Sequence, residues 1–414
     1  MTRFHLASDY GDGASLAYHL MRQGHDVSWS VAHKDARPML QGLVPYRDSP
    51  PRGAITLVDA VGMHVRDKPR IGSNQLEVWE TTRQTGMQAM LDHGIEIPDT
   101  HTWRTVDQAV GILSDLDGEW YLKPDGDVPK SMTRMGDPAW LIRFLEWARP
   151  QLRKCPGGIL QRRVEDAVEV DCAVWLDGSS ALSYEIAVEE KKFLAGNKGP
   201  STGCQTNLVW QARESDRIIQ QTIGHFVPTL LESGYVGIAS INGLWTKELV
   251  YYGLEFTMRF GFDATQAELA LWGSRASDFL SGLALGELVY FDVTQKAAMT
   301  LRLSVPPQPM EGSRDHRDWA DFPLPAELLD DDEFYPDDIA VDRDGRPRLA
   351  TGSGFVGVLA TTGTTLIGMR RHLTSRAEKY GLKDGMWRPD PVSTAEATIL
   401  FLRKHHLVKD PFDP

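Results

Sequence analysis

The chain has 414 residues, 42% apolar and 24% charged, which are the proportions of a soluble globular protein with room for two or three domains. A formal net charge of −13 argues against general binding to nucleic-acid backbones. Cys155, Cys172 and Cys204 lack pair spacing, which speaks against a disulfide framework or a zinc site and for a reducing, cytoplasmic setting; the first residues lack the apolar run of a signal peptide, and no stretch approaches the roughly 20 apolar residues of a membrane span.

The chain opens with a strand candidate, RFHLAS, a Gly/Asp loop at 9–13, an amphipathic helix at 14–25 and a second strand, DVSWSVA. Strand, glycine loop, helix, strand is the order of a βαβ unit. A single such loop is a weak signal for nucleotide binding and fits better the plain opening of an α/β domain. Residues 76–98 predict a helix stopped at DHGIEIP, and 105–116 a second helix, leading to the strand EWYLKP. Between 157 and 193, β-rich runs around the turn DGSS predict an antiparallel pair. Residues 194–207, rich in Gly, Ser, Thr and Asn, predict a long loop. A helix is expected at 214–233, strands at 235–260 and a helix at 265–287. Beyond 295 come a strand at 297–306, an acidic stretch at 325–338, a strand pair turning at Asp344-Gly345 and a helix at 364–381. The acidic stretch reads as a solvated loop or a cation site.

Three places carry chemistry. In YYGLEFTMRF, Glu255, Thr257 and Arg259 alternate with Leu254, Phe256 and Met258, so one strand face is apolar and the other polar. That polar face is either wet or a site: Glu255 suits a hard cation such as Mg²⁺, and Arg259 a phosphate. Lys123, at a strand end in YLKPDG, either reaches a phosphate or snorkels to solvent. The glycine-rich NKGPSTG at 197–203 either cradles an anion or connects two elements. The His pair at 405–406 and the Arg pairs at 162–163 and 370–371 are too isolated to mark a metal site or a nucleic-acid stripe.

In this order the pieces resemble the ATP-grasp superfamily, and within it phosphoribosylamine–glycine ligases. SNQLEVWETTRQTGMQAMLDHGIEIPDTHTW, WYLKPDG, GILQRRVEDAVEVDCAVWLDG, GNKGPSTG, GLEFTMRFGFDATQ, ATGSGFVGVLATTGTTLIGMRRH and GMWRPD are similar to successive family segments. The resemblance implies an ATP-grasp α/β fold: an N-terminal βαβ domain at 1–98, an ATP-grasp core at 99–294 with a flexible subdomain at about 120–190, and a C-terminal α+β domain at 295–414. It also implies ATP and Mg²⁺ as cofactors, and small amino-acid and amine substrates joined through an acyl phosphate. By position, Lys123 and Lys130 would contact ATP phosphates, Gln161, Arg162, Arg163 and Val164 would line adenine, and Glu169 would bond the ribose. Glu255 and Thr257 would hold the metal, Arg259 would stabilise the transferred phosphoryl group, and Pro200, Ser201, Thr202 and Gly203 would border the carboxylate substrate.

The departures are equally specific. Thr257 stands for a metal-binding asparagine, DVPKSM at 127–132 for a glycine-rich phosphate cover, and Gln161-Arg162-Arg163 for acidic hinge residues. Asp12 stands for an arginine of the N-terminal loop, and Gly352–Phe355 lacks the C-terminal arginine. Both arginine losses fall on the amine side, so the expectation is an acceptor other than phosphoribosylamine, or phosphoribosylamine held differently. The alternative expectation is a divergent scaffold that binds nucleotide or a protein without efficient turnover.

Overall fold

A computed structural model describes all residues except 67, 127, 129–131, 288–295, 310–316 and 409–414. Strands β1 (Arg3–Ser8), β2 (Asp26–Val31), β3 (Ile55–Val58) and β4 (Arg70–Ile71) form a parallel sheet in the order β2-β1-β3-β4. The expected βαβ opening is present. Its helix, Ala14–Arg22, ends before Gly24, whose φ of +84° suits a residue without Cβ.

Strands β5 (Thr100–Trp103), β6 (Trp120–Pro124), β7 (Arg134–Gly136) and β8 (Gly158–Arg162) make a second, antiparallel sheet in the order β5-β8-β6-β7. Helices Val106–Ser114 and Pro138–Ala148 cover it. Each begins at a side-chain cap, Thr105 on the Gln108 amide at 3.2 Å and Asp137 on the Trp140 amide at 2.8 Å. Trp103, Trp120, Leu122, Leu141, Leu145 and Leu160 give this unit its own core.

The rest of the chain builds on β9 (Ala167–Asp177), β10 (Ala181–Leu194), β11 (Lys198–Ala212), β12 (Val236–Thr246), β13 (Tyr251–Thr257), β14 (Ala297–Ser304), β15 (Phe334–Pro336), the hairpin β16 (Ile339–Val341) and β17 (Pro347–Leu349), and β18 (Phe355–Gly363). All but the hairpin join one antiparallel sheet, in the order β13-β12-β9-β10-β11-β14-β18-β15. The small sheet thus spans 100–162, and β14 and β18, from beyond 295, complete the sheet begun by β9–β13.

Alternation along these strands divides the large sheet. Cys172, Val174, Ile186, Val188, Leu208, Trp210, Ile241, Phe256 and Met299 fill the apolar core of one face. On the other face Ala173, Trp175, Ala187, Val209 and Ala298 pack towards helices Ala264–Trp272 and Ala276–Leu285, and the remainder is polar. The polar part is the floor of the candidate site.

Several expectations need correction. Residues 194–207 are not a long loop but the tip and one arm of the β10–β11 hairpin, with Leu194 opposite Lys198. Positive φ at Gly196 and Asn197 concentrates the turn there, and the Ser/Thr/Gly composition beyond it belongs to an irregular strand with register shifts. The helices expected at 76–98, 214–233 and 265–287 are each broken: at Thr82, whose ψ is 95°; around Thr222, ahead of Pro228; and at Gly273, whose φ is +56°. Hydrophobic periodicity ran through these breaks because both halves face the same core.

Candidate active site

Pairing puts the chemistry on one face. Glu255 of β13 lies opposite Asn242 of β12, which lies opposite Asp171 of β9. Glu169, two residues before Asp171, shares that face, as do Glu189 and Lys191 of β10 and Asn207 of β11, opposite Glu189. The Lys191 ammonium sits among three carboxylates: Glu169 at 3.1 Å, Glu189 at 3.4 Å and Glu255 at 3.6 Å. Burial opposes its charge, but the three carboxylates outweigh burial and hold its pKa well above the usual lysine value. Asp171 accepts from the Ser240 hydroxyl at 3.0 Å and is pushed up to about 8 by burial, with the Glu189 charge adding. Glu189 is likewise raised by burial.

Lys123 comes to this cluster from the small sheet. Its Nζ donates to Gln161 Oε1 at 2.7 Å, and Gln161 Nε2 donates to Thr100 Oγ1 at 3.3 Å. Burial lowers the Lys123 pKa to about 8; Glu255 and Glu169 raise it, while Arg83 and Lys191 lower it further. Two sheets therefore converge on one small volume, in which Lys123, Lys191, Glu169 and Glu255 feel one another's charge.

Arg259 lies two residues past the end of β13 and turns elsewhere. Its Nε donates to Glu80 Oε1 at 2.9 Å, and the Met258 amide donates to Glu80 Oε2 at 2.7 Å. Burial opposes its charge, but Glu80 and Asp12 outweigh burial and raise its pKa. Beneath the 9–13 loop, Asp59 accepts from the Gly13 amide at 2.6 Å. Burial pushes Asp59 up to about 7, with Asp12 adding to the rise.

The remaining expected residues fall around this centre. Arg162 pairs with Asp117 at 3.6 Å and Arg163 with Glu119, so both guanidinium groups are engaged by carboxylates just before β6. Their backbone amides donate to the Asp99 and Glu119 carbonyls. Val164 follows, half-buried. Thr257 is half-buried opposite Ser240. Pro200 and Ser201 are exposed on β11; Thr202 is buried and donates its hydroxyl to the Lys191 carbonyl at 3.0 Å; Gly203 is half-buried. Lys130 lies outside the described residues.

Lys191, Glu189 and Asn242 were missed. The signal for the first two was present in VEEKKF, where Glu189 and Lys191 repeat the two-residue spacing of Glu255 and Thr257. Asn242 sits in a run, ASINGLW, that reads as plain strand. Its Oδ1 is buried and has no hydrogen-bond partner among the described residues. An amide oxygen beside Glu255 is the donor type that Thr257 lacks. Glu255, Glu189 and Asn242 Oδ1 are all oxygen donors and suit a hard cation, although among the described residues no group of three or more His, Cys, Asp or Glu side chains is arranged to hold a metal ion.

Comparison with solved structures settles the architecture. A phosphoribosylamine–glycine ligase from Thermotoga maritima superposes with a TM-score of 0.71 at 16% identity, covering 94% of this chain and 100% of that one. The fold is ATP-grasp. The biotin carboxylase domain of Hydrogenobacter thermophilus 2-oxoglutarate carboxylase, solved with MgADP, ADP and bicarbonate, matches with a TM-score of 0.63 at 12% identity over 100% of this chain and 99% of that one. An N5-carboxyaminoimidazole ribonucleotide synthetase from Thermus thermophilus matches with a TM-score of 0.59 at 11% identity, covering 91% and 98%. No family model matches the sequence, and no curated protein matches it. Among the described residues, no helix is long and apolar enough to cross a membrane.

Proposed function

We propose that this ATP-grasp protein is an ATP-dependent ligase that activates a small carboxylate as an acyl phosphate and joins it to an amine other than phosphoribosylamine. The observation that carries the reading is the meeting of Lys123 from the small sheet with Lys191, Glu169 and Glu255 from the large one. Two ammonium groups and a set of carboxylates between two sheets suit a polyphosphate with its counter-cation. Lys123 and Lys191 would hold phosphate oxygens, Glu169 would accept from the ribose, and the hinge at 161–164 would flank the base. Glu255, Glu189 and Asn242 would hold Mg²⁺, which when bound neutralises phosphate charge. This chain's own work is positioning: Gln161 fixes the Lys123 ammonium at the strand end, and the carboxylates around Lys191 keep it charged. Arg259 is held by Glu80 at the loop end and would have to leave that ion pair to reach the phosphoryl group in transfer.

The acceptor side supports the exclusion of a phosphorylated amine. Asp12 is exposed at the loop tip, Asp59 is buried beneath it, and both act on Arg259. A phosphate placed there meets like charge. A second reading, a nucleotide-binding scaffold without turnover, is favoured by one observation: Glu80 already occupies Arg259 and the Met258 amide.

ADP release separates the readings. Purified protein with MgATP, glycine and other amino acids, and a panel of amines including fresh phosphoribosylamine, is expected to release ADP with an unphosphorylated amine. Strong stimulation by phosphoribosylamine would overturn the acceptor assignment. MgATP binding with no ADP under any pair would favour the scaffold.

A further inference from the structure

A cavity of about 680 Å³, lined by neither Lys123 nor Glu255, lies where the loops after β3 and β4 leave the parallel sheet. Its walls include His64, Arg66, Arg70, Glu77, Val78 and Thr81. The volume is that of a small-molecule site. The place is apt as well, because open parallel sheets bind ligands beyond the carboxyl ends of their strands.

The charge of the lining is what makes this cavity informative. The chain carries a formal −13, so a basic cleft here is not a by-product of a basic surface. Arg70 is fixed in the wall: Nε and one terminal nitrogen donate to the Ser73 carbonyl, each at 3.2 Å, and the other to the Arg66 carbonyl at 3.4 Å. Glu77, the one carboxylate among the described lining residues, is buried and turned to the backbone, accepting from the Gly62 amide at 2.8 Å and the Asn74 amide at 3.3 Å. It is engaged inward, while Arg66 and His64 are exposed at the rim. Two guanidinium groups and an imidazole around one cavity suit a doubly charged, multi-oxygen anion better than a lone carboxylate.

We infer that this cleft binds the phosphate group of a small phosphomonoester, at a site separate from the proposed ATP site. One short helical turn lies between the two regions: Val78 and Thr81 line the cleft, and Glu80 holds Arg259. The inference does not depend on the ligase reading.

Isothermal titration on the full chain, with the nucleotide site filled by excess MgADP, tests it with ribose 5-phosphate, inorganic phosphate and ribose as probes. Ribose 5-phosphate is expected to bind saturably and ribose not at all. Arg66→Glu should weaken binding by about tenfold or more, through like-charge repulsion, and Arg66→Lys far less. His64→Glu, also at the exposed rim, gives a second charge reversal. MgADP affinity should be the same in every variant. Inorganic phosphate binding as tightly as the sugar phosphate would support the site with phosphate alone as the recognised group. No saturable binding of either phosphate probe, or equal binding in both charge-reversed variants, would overturn the inference.

Discussion

The large-sheet cluster and the loop end of the N-terminal sheet both gather carboxylates, but they balance charge differently. On the large sheet Lys191 lies within 3.6 Å of Glu169, Glu189 and Glu255, and Lys123 stands close by. At the loop end, Arg259 is already paired with Glu80, and Asp12 and Asp59 remain beside it. The first region pairs buried charge with counter-charge and is suited to an anionic ligand with its cation. The second leaves Asp59 buried with a pKa near 7, bonded to the Ser8 side chain and the Gly13 amide, and is suited to a ligand without negative charge. The two regions thus suit opposite electrostatic partners.

The sharpest way to break this comparison is Glu255→Gln. It removes a carboxylate from the large-sheet cluster and leaves the packing intact. ADP release is expected to fall by about 100-fold or more, with an unchanged thermal melt. Normal turnover would remove Glu255 from the metal assignment. The next test is Lys191→Met, which leaves three carboxylates facing one another. Because Lys191 and its partners are partly solvated, the stability loss is expected at about 1–2 kcal/mol in urea unfolding, accompanied by loss of nucleotide binding. Adding Glu189→Gln should recover part of the stability but not the binding. If the double variant were no more stable than Lys191→Met, charge repulsion would not be the cause.

The sequence carried much of the first region and little of the second. Glu255, Thr257 and Arg259 lie on a strand whose alternation is plain, and Lys123 stands at a strand end before a glycine turn; both are local patterns. Lys191 and Glu189 followed the same alternation but were hidden in a charged run, EEKK, that equally suits a solvated face. Asn242 could not be read at all, because its meaning comes from lying opposite Glu255, and register between distant strands is a tertiary fact. The 194–207 segment misled for a different reason. Gly, Ser and Thr usually mark loops, yet the hydrogen bonding of the neighbouring strand drew Lys198–Ala212 into the sheet. Arg259 was placed on the polar strand face, but the strand ends at Thr257, and Glu80 decides where the guanidinium goes.

Lys123 gives a pH test of the large-sheet region. In the free protein burial lowers its pKa to about 8, so the ammonium is lost as pH rises through that value. A neutral amine attracts phosphate less, and nucleotide affinity measured by titration from pH 7 to 9.5 is expected to fall by about tenfold or less. Lys123→Arg, which stays protonated, should flatten the profile. A wild-type profile as flat as that of the variant would mean that Lys123 is not the phosphate contact.

The last test belongs to the loop end and asks whether Asp59 is held neutral. Its folded pKa is about 7, against an ordinary value of 3.8. Between those values the folded state keeps a proton that the unfolded state has released. Unfolding therefore sheds a proton, and stability falls as pH rises through the window, by at most about 1.4 kcal/mol per pH unit for this one group. Asp59→Asn can still accept from the Gly13 amide but has no proton to lose. Urea unfolding at pH 4, 5, 6 and 7 should show the wild type losing stability relative to Asp59→Asn at each step. Asp12→Asn should reduce that loss, because Asp12 is the second cause of the shift after burial. A wild-type-minus-variant difference that did not change with pH would make Asp59 an ordinary carboxylate, and the contrast between the two regions would then rest on Asp12 alone.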